Sequence, residues 1–316
     1  MFAARGIAVS FSVFVLVYSG LSLAVGCSWR RLWLLCQRYP VERAADLLFA
    51  LRVFPLVGAA VVTVAFTVPS FVLLEPRSIN EPIGVIPLVL GICGCLLAGF
   101  GAVNAGLSAA RASRRIAEWM SESIPADASG PVPVLRTSQV IPPLTTAGIV
   151  RPKVLVSGTA EFILTKRELQ TALRHELAHV RRRDNLKKLV LRLVAFPGMA
   201  GLENAWLDAT EMAADDAAVS SSGEALDLAA ALIKLSRFAQ LEPSTEIMMA
   251  LVHSPAASVN ARVERLIDWS EERRTPAQQY SAWYALCAGG VAVAAFGVTY
   301  SALLVRVHTA TEWLVR

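Results

Sequence analysis

The chain has 316 residues, of which 55% are apolar and only 17% charged, and it carries a net charge of +5. That balance excludes a wholly soluble enzyme, a disordered chain and a fibrous one. The positive charge is no argument for nucleic acid, since Arg beside membrane spans explains it, and no direct nucleic-acid binding is expected.

Four stretches lack Asp, Glu, Lys and Arg altogether: 7–26, 53–74, 83–106 and 282–305. Each is long enough to cross a bilayer as a helix. The remaining residues hold every charge, at the ordinary density of globular protein. The expected organisation is therefore three membrane helices in 1–109, a soluble domain in 110–281, and a fourth span with a short tail in 282–316. The five cysteines, Cys27, Cys36, Cys93, Cys95 and Cys287, lie in or near the spans and form no disulfide framework or metal knuckle.

Arg placement sets the orientation. Arg30, Arg31, Arg38, Arg43 and Arg52 fill the first connection, Arg111, Arg114 and Arg115 follow the third span, and Arg273 and Arg274 precede the fourth. Only Arg5, Arg77, Arg306 and Arg316 lie on the other side. A multi-pass cell-membrane protein is expected, with both termini external and the 110–281 domain cytoplasmic.

Along that domain, a polar helix around 109–121 is followed by a link rich in Pro, Ser and Gly at 124–133. Short strands are expected at 132–136, 145–150 and 153–157, punctuated by Pro142-Pro143 and Arg151-Pro152. Thr165-Lys-Arg-Glu168 has the form of a capping box, so a helix should start there. Farther on, Lys187, Lys188 and Arg192 alternate with apolar residues over 186–196, a pattern that suits the membrane surface or packing against that helix. The fold class is α+β, a membrane protein whose mainly helical domain carries a small β-sheet.

The helix runs through His175-Glu-Leu-Ala-His179. Two histidines at i and i+4 share a helix face and can present imidazole nitrogens to one Zn²⁺, with Glu176 beside the open position as a base. With only 4 histidines in the chain, roughly 0.003 such strings would arise by chance. A third ligand is needed, and no third histidine follows at the spacing of metzincins. Glu211-Met-Ala-Ala-Asp215 supplies a carboxylate on a predicted helix; Glu211 could bind zinc while Asp215 orients an imidazole. Glu203 and Asp216 compete by residue type.

The string His175-Glu-Leu-Ala-His-Val-Arg-Arg-Arg-Asp-Asn185, joined to Glu211-Met-Ala-Ala-Asp215 and preceded by Gly148-Ile-Val-Arg-Pro-Lys-Val-Leu-Val156, resembles the BlaR/MecR-type integral membrane zinc metallopeptidases, whose gluzincin core is shared with HtpX and the CAAX prenyl proteases. The span arrangement is similar too. The resemblance implies one Zn²⁺ bound by His175, His179 and Glu211, Glu176 as the base, and Asp184 and Asp215 in support. Receptors of that family continue after the last span into an external penicillin-binding sensor. Here only 306–316 follow, so direct β-lactam sensing is not expected. Arg262-Val-Glu-Arg-Leu266 is similar to a segment of the HtpX relatives, which makes Arg262 and the nearby His253 candidates for transition-state or substrate contacts.

The expected activity is zinc-dependent endopeptidase cleavage of a protein or peptide, such as a transcriptional repressor. The alternatives are a quality-control protease like HtpX and a signal transducer with a structural metal site. A peptide held extended would add to an exposed sheet edge, for which 145–150, with Ala147 and Gly148, is the candidate. The topology is directly testable. A reporter after Arg316 or a tag near Ser78 should read as external, and a tag between Ala126 and Gly130 as cytoplasmic. The reverse pattern would overturn the orientation.

Overall fold

The computed structural model describes residues 2–36, 39–76, 84–121, 123–127, 132–137, 143–194, 196–237, 249–250, 256–269, 300 and 302–312. The expected fourth span at 282–305 and the candidate His253 lie almost wholly or wholly outside them. The described chain is mostly helical with one small mixed sheet.

Three helical segments, Phe2–Leu34, Val41–Leu74 and Val85–Met120, are long and apolar enough to cross a membrane, which points to membrane association. They exceed the charge-free stretches because no helix breaker stops them at the first charge. α1 (Phe2–Cys36) runs past Arg30 and Arg31. The expected loop before the second span is mostly helix, since α2 (Val41–Val62) begins after a break of a few residues. α2 passes through a π-turn at Thr63–Thr67 into α3 (Val68–Leu74). Pro69 in α3 has no N–H to offer the Ala65 carbonyl, which instead accepts from the Tyr300 hydroxyl at 2.7 Å. Tyr300 precedes a final helix, α11 (302–312), so the end of the described chain is held against the second span.

α4 (Val85–Met120) joins the third expected span and the polar helix into one rod. Its far end leaves the apolar layer and packs Ile116, Trp119 and Met120 under Leu135, Ala147 and Leu155 of the sheet. The strands are β1 (Ser123–Asp127), β2 (Val134–Thr137), β3 (Leu144–Ala147), β4 (Lys153–Ser157) and β5 (Met249–Ala250), in the order β1-β2-β4-β3-β5. Only β2 and β4 are parallel. The expected link at 124–133 is in part a strand. β1 tolerates Pro125 because it is an edge strand, where a missing amide costs no ladder bond. The expected exposed edge at 145–150 is corrected as well: Thr145 and Thr146 pair with β4 on one side and with Ala250 and Met249 on the other, and Ala147 is buried.

The opposite sheet face is covered by α5 (Gly158–Ile163), α6 (Lys166–Arg182), α9 (Ser222–Ser236) and α10 (Ala256–Ile267), around Leu144, Val156, Leu228, Leu232 and Leu235. α7 (Asp184–Leu193) takes neither expected setting as its main one but packs on the long apolar helices: Val190, Val194 and Phe196 meet Tyr18 and Leu97, and Asn104 of α4 donates to the Arg192 carbonyl at 3.1 Å. α8 (Ala200–Ala218) docks lengthwise on α2 through Met199, Leu202, Trp206 and Ala209 against Ala45 and Leu48. Buried Arg52 seals this seam, donating to Glu203 at 2.9 Å and to the Val194 carbonyl.

Trp206 is 1% exposed, and its ring lies 6.0 Å from that of Phe49 at a tilt of 43°. Trp206→Ala should therefore cost about 3–5 kcal/mol, seen as a lower thermal midpoint of the detergent-solubilised chain. An unchanged midpoint would mean that α8 does not dock on α2.

Candidate metal centre

The ends of α6 are fixed by local contacts. Thr165 Oγ1 accepts from the Glu168 amide at 3.3 Å, and Glu168 Oε2 accepts from the Thr165 amide at 2.8 Å, so the expected capping box is complete. At the other end Arg183 takes a left-handed conformation, φ 54°, and turns the chain directly into α7.

On the buried face of α6, His175, Glu176 and His179 are each no more than 1% exposed. The two imidazole Nε2 atoms face each other at 3.1 Å. Glu211 of α8 comes up opposite them, its carboxylate oxygens 3.6 Å from His175 Nε2 and 3.7 Å from His179 Nε2. All three donor atoms lie within 4.8 Å of one another. In a tetrahedral site with nitrogens 2.0–2.1 Å from the ion, the two nitrogens stand roughly 3.3 Å apart.

The groups behind the imidazoles fix which nitrogens point inward. Asp184, the first residue of α7, lies 2.8 Å from His179 Nδ1 and is fully buried, not a solvated carboxylate on the surface. Asp215, one turn after Glu211 on α8, lies 2.9 Å from His175 Nδ1, close but poorly aligned. A proton on each Nδ1 leaves each Nε2 as an acceptor. Two acceptors opposed at 3.1 Å, faced by a carboxylate, repel unless a cation or proton lies between them. The residues therefore fit a metal ion, and this buried His-His-Glu group can hold one.

Arg262 of α10 is 1% exposed and braces the carboxylates from behind. It donates to both oxygens of Asp215, at 2.8 and 2.7 Å, and to Glu211 Oε2 at 2.8 Å. The sequence offers it as a transition-state or substrate contact; in the structure its guanidinium is engaged by the acidic pair, which it holds in position. The rival carboxylates are engaged elsewhere: Glu203 with Arg52, and Asp216 with Arg265.

Two residues of the site are given no role by the sequence, although Asn185 closes the string that carries the family resemblance and Thr146 lies in the expected strand. Thr146 of β3 donates to Glu176 Oε2 at 2.7 Å and leaves Oε1 buried without a partner. Asn185 donates to the carbonyls of Thr146 and Gly148, each at 3.0 Å, and so holds β3 to the start of α7. Ala147 and Gly148 thus help align β3 beside Glu176; Gly148, at φ 99°, allows the turn into Arg151.

Electrostatics follow from burial and pairing. Burial raises the Glu176 carboxyl above its usual range, although His179, His175 and the Thr146 hydroxyl oppose the shift. Burial would raise Glu211 too, but Arg262 and the histidines outweigh it and hold the carboxyl at about 2. Asp215 is likewise held low, by Arg262 and His175 against its desolvation. For His175 burial favours the neutral ring, yet the Asp215 and Glu211 carboxylates prevail and raise it to about 9.

No known family's sequence profile matches the chain, and no curated protein is recognisably similar to it.

The raised His175 has a definite sign. In the metal-free protein its proton contributes stability that is complete below pH 6.5 and lost as the pH climbs through about 9. The same proton must leave for a metal ion to bind. Apparent metal affinity should therefore rise by about tenfold per pH unit above neutrality and level off beyond about 9. Calorimetric titration across that range checks both. A pH-independent affinity would mean that His175 binds no metal.

Proposed function

We propose that the protein is an integral membrane zinc-dependent endopeptidase, similar in its site to the BlaR/MecR-type metallopeptidases, that cleaves a cytoplasmic or membrane protein such as a transcriptional repressor. The observation that carries this reading is the convergence of His175, His179 and Glu211 with a buried carboxylate, Glu176, one oxygen of which has no partner. A purely structural metal site has no use for that group.

Zinc held by His175, His179 and Glu211 would supply Lewis acidity, polarising a peptide carbonyl and acidifying water. Glu176 takes the proton from the attacking water and passes it to the leaving amine; its raised affinity for protons suits both transfers near neutral pH. Thr146 holds one Glu176 oxygen so that the other faces the reacting atoms. Asp184 and Asp215 keep the imidazole tautomers, and Arg262 keeps Glu211 and Asp215 in register. The strand position that an extended peptide would use beside β3 is taken by Met249 and Ala250, so no substrate register is assigned. The Arg distribution supports a cytoplasmic site.

A second reading, a signal transducer with a structural metal, draws support from the near-complete burial of all three donors. One experiment separates the two. Glu176→Gln should retain the metal and abolish proteolysis of a peptide library, whereas His175→Ala or Glu211→Ala should lose both. A Glu176→Gln variant that cleaves normally, or a wild type that cleaves nothing while holding its metal, would favour the transducer.

A further inference from the structure

Among the described residues a second cluster of metal-ligating side chains stands apart from the first. It comprises Glu75, just after α3, and His308 and Glu312, one turn apart on α11, with donor atoms within 4.8 Å of one another. His308 lies between the two carboxylates. Its Nδ1 is 3.9 Å from Glu75 Oε2 and its Nε2 is 3.4 Å from Glu312 Oε1. Nδ1 is shut off from solvent and has no hydrogen-bond partner. Arg5 of α1 holds the other Glu75 oxygen at 3.0 Å, which directs Oε2 toward the imidazole.

The side chains of Glu75 and His308 are 8% and 15% exposed, so water does little for either. Leaving an imidazole nitrogen buried and unpaired costs free energy, and one cation among the three donors would satisfy it. The donor chemistry selects the ion. One imidazole nitrogen with two carboxylate oxygens suits a divalent transition-metal ion, whereas Ca²⁺ and Mg²⁺ prefer all-oxygen sites.

The position is as informative as the chemistry. Arg5 is separated from Trp29 by about 36 Å along α1, and Trp29 packs in the cluster formed with α8. The second group thus sits at the opposite end of α1 from the contact with α8, the helix that carries Glu211, about a bilayer's thickness along the bundle. We propose that Glu75, His308 and Glu312 form a second divalent-metal site, which ties the end of the second span to α11 on the face of the bundle opposite the first centre. The proposal does not depend on the peptidase reading.

The test is a Zn²⁺ titration of the chelator-stripped full chain in detergent, with metal content measured in parallel. The wild type should bind two ions. His308→Ala and Glu312→Gln should each lose one, with binding there at least about tenfold weaker, while their metal-free thermal midpoints match wild type. Glu312 is half-exposed, so its variant decides the matter if His308→Ala misfolds. His175→Ala should lose the other ion, and the double variant His175→Ala, His308→Ala should bind none. Two ions retained in both outer-site variants, or a single wild-type ion abolished by His175→Ala, would overturn the proposal. A single ion lost in His308→Ala but kept in His175→Ala would support it and count against the first centre instead.

Discussion

The interior of the helical unit must neutralise four buried carboxylates, and this charge balance governs the arrangement around it. Glu176, Asp184, Glu211 and Asp215 are each no more than 5% exposed. Unpaired carboxylates in such surroundings would be protonated or would disrupt the fold. One guanidinium, Arg262, reaches two of them; Arg182 and Lys187 lie 3.8 and 3.7 Å from Asp184, the buried Lys188 acts on Glu211, Asp184 and Glu176, and the histidines answer what remains. The deficit that draws a proton onto His175 is the same deficit that a divalent cation would fill. Proton affinity and metal affinity at this centre therefore have one origin.

The same requirement explains why α8 matters beyond the two acidic side chains it carries. Its first half is fixed to the membrane helices by Leu202, Trp206 and the Arg52–Glu203 pair; its second half presents Glu211 and Asp215 to α6. Glu203 and Glu211 are about two turns apart, or about 12 Å along the axis. A shift of α2 against α8 would be carried through a rigid rod to Glu211.

What could be read in advance was local. The HExxH face, the capping box at Thr165 and the shared face of Glu211 and Asp215 depend on spacings within a turn or two, where helix periodicity dictates geometry. Asp184 lies beyond the left-handed turn at Arg183, where periodicity stops, and only the family resemblance pointed to it. Thr146 and Asn185 act across thirty or more residues, and threonine in a strand is too ordinary to stand out. From sequence β3 looks like an edge because its actual neighbour, the two-residue strand β5, is too short to leave any pattern. The helices outrun the charge-free stretches for a related reason. Charge-free runs locate apolar surface, whereas a helix ends only where its backbone is interrupted.

The hydroxyl of Tyr300, seated on the carbonyl that Pro69 leaves free, has a consequence for reach. Tyr300 fixes the start of α11 to the second helical segment, while the helical unit itself is held to the bundle twice, by α4 under its sheet and by α8 along α2. It cannot swing away on a single stalk. If the three apolar helices lie in a bilayer, a molecule that meets the buried donors would do so at its surface, and encounters would depend on how much of that molecule resides there rather than on its bulk concentration.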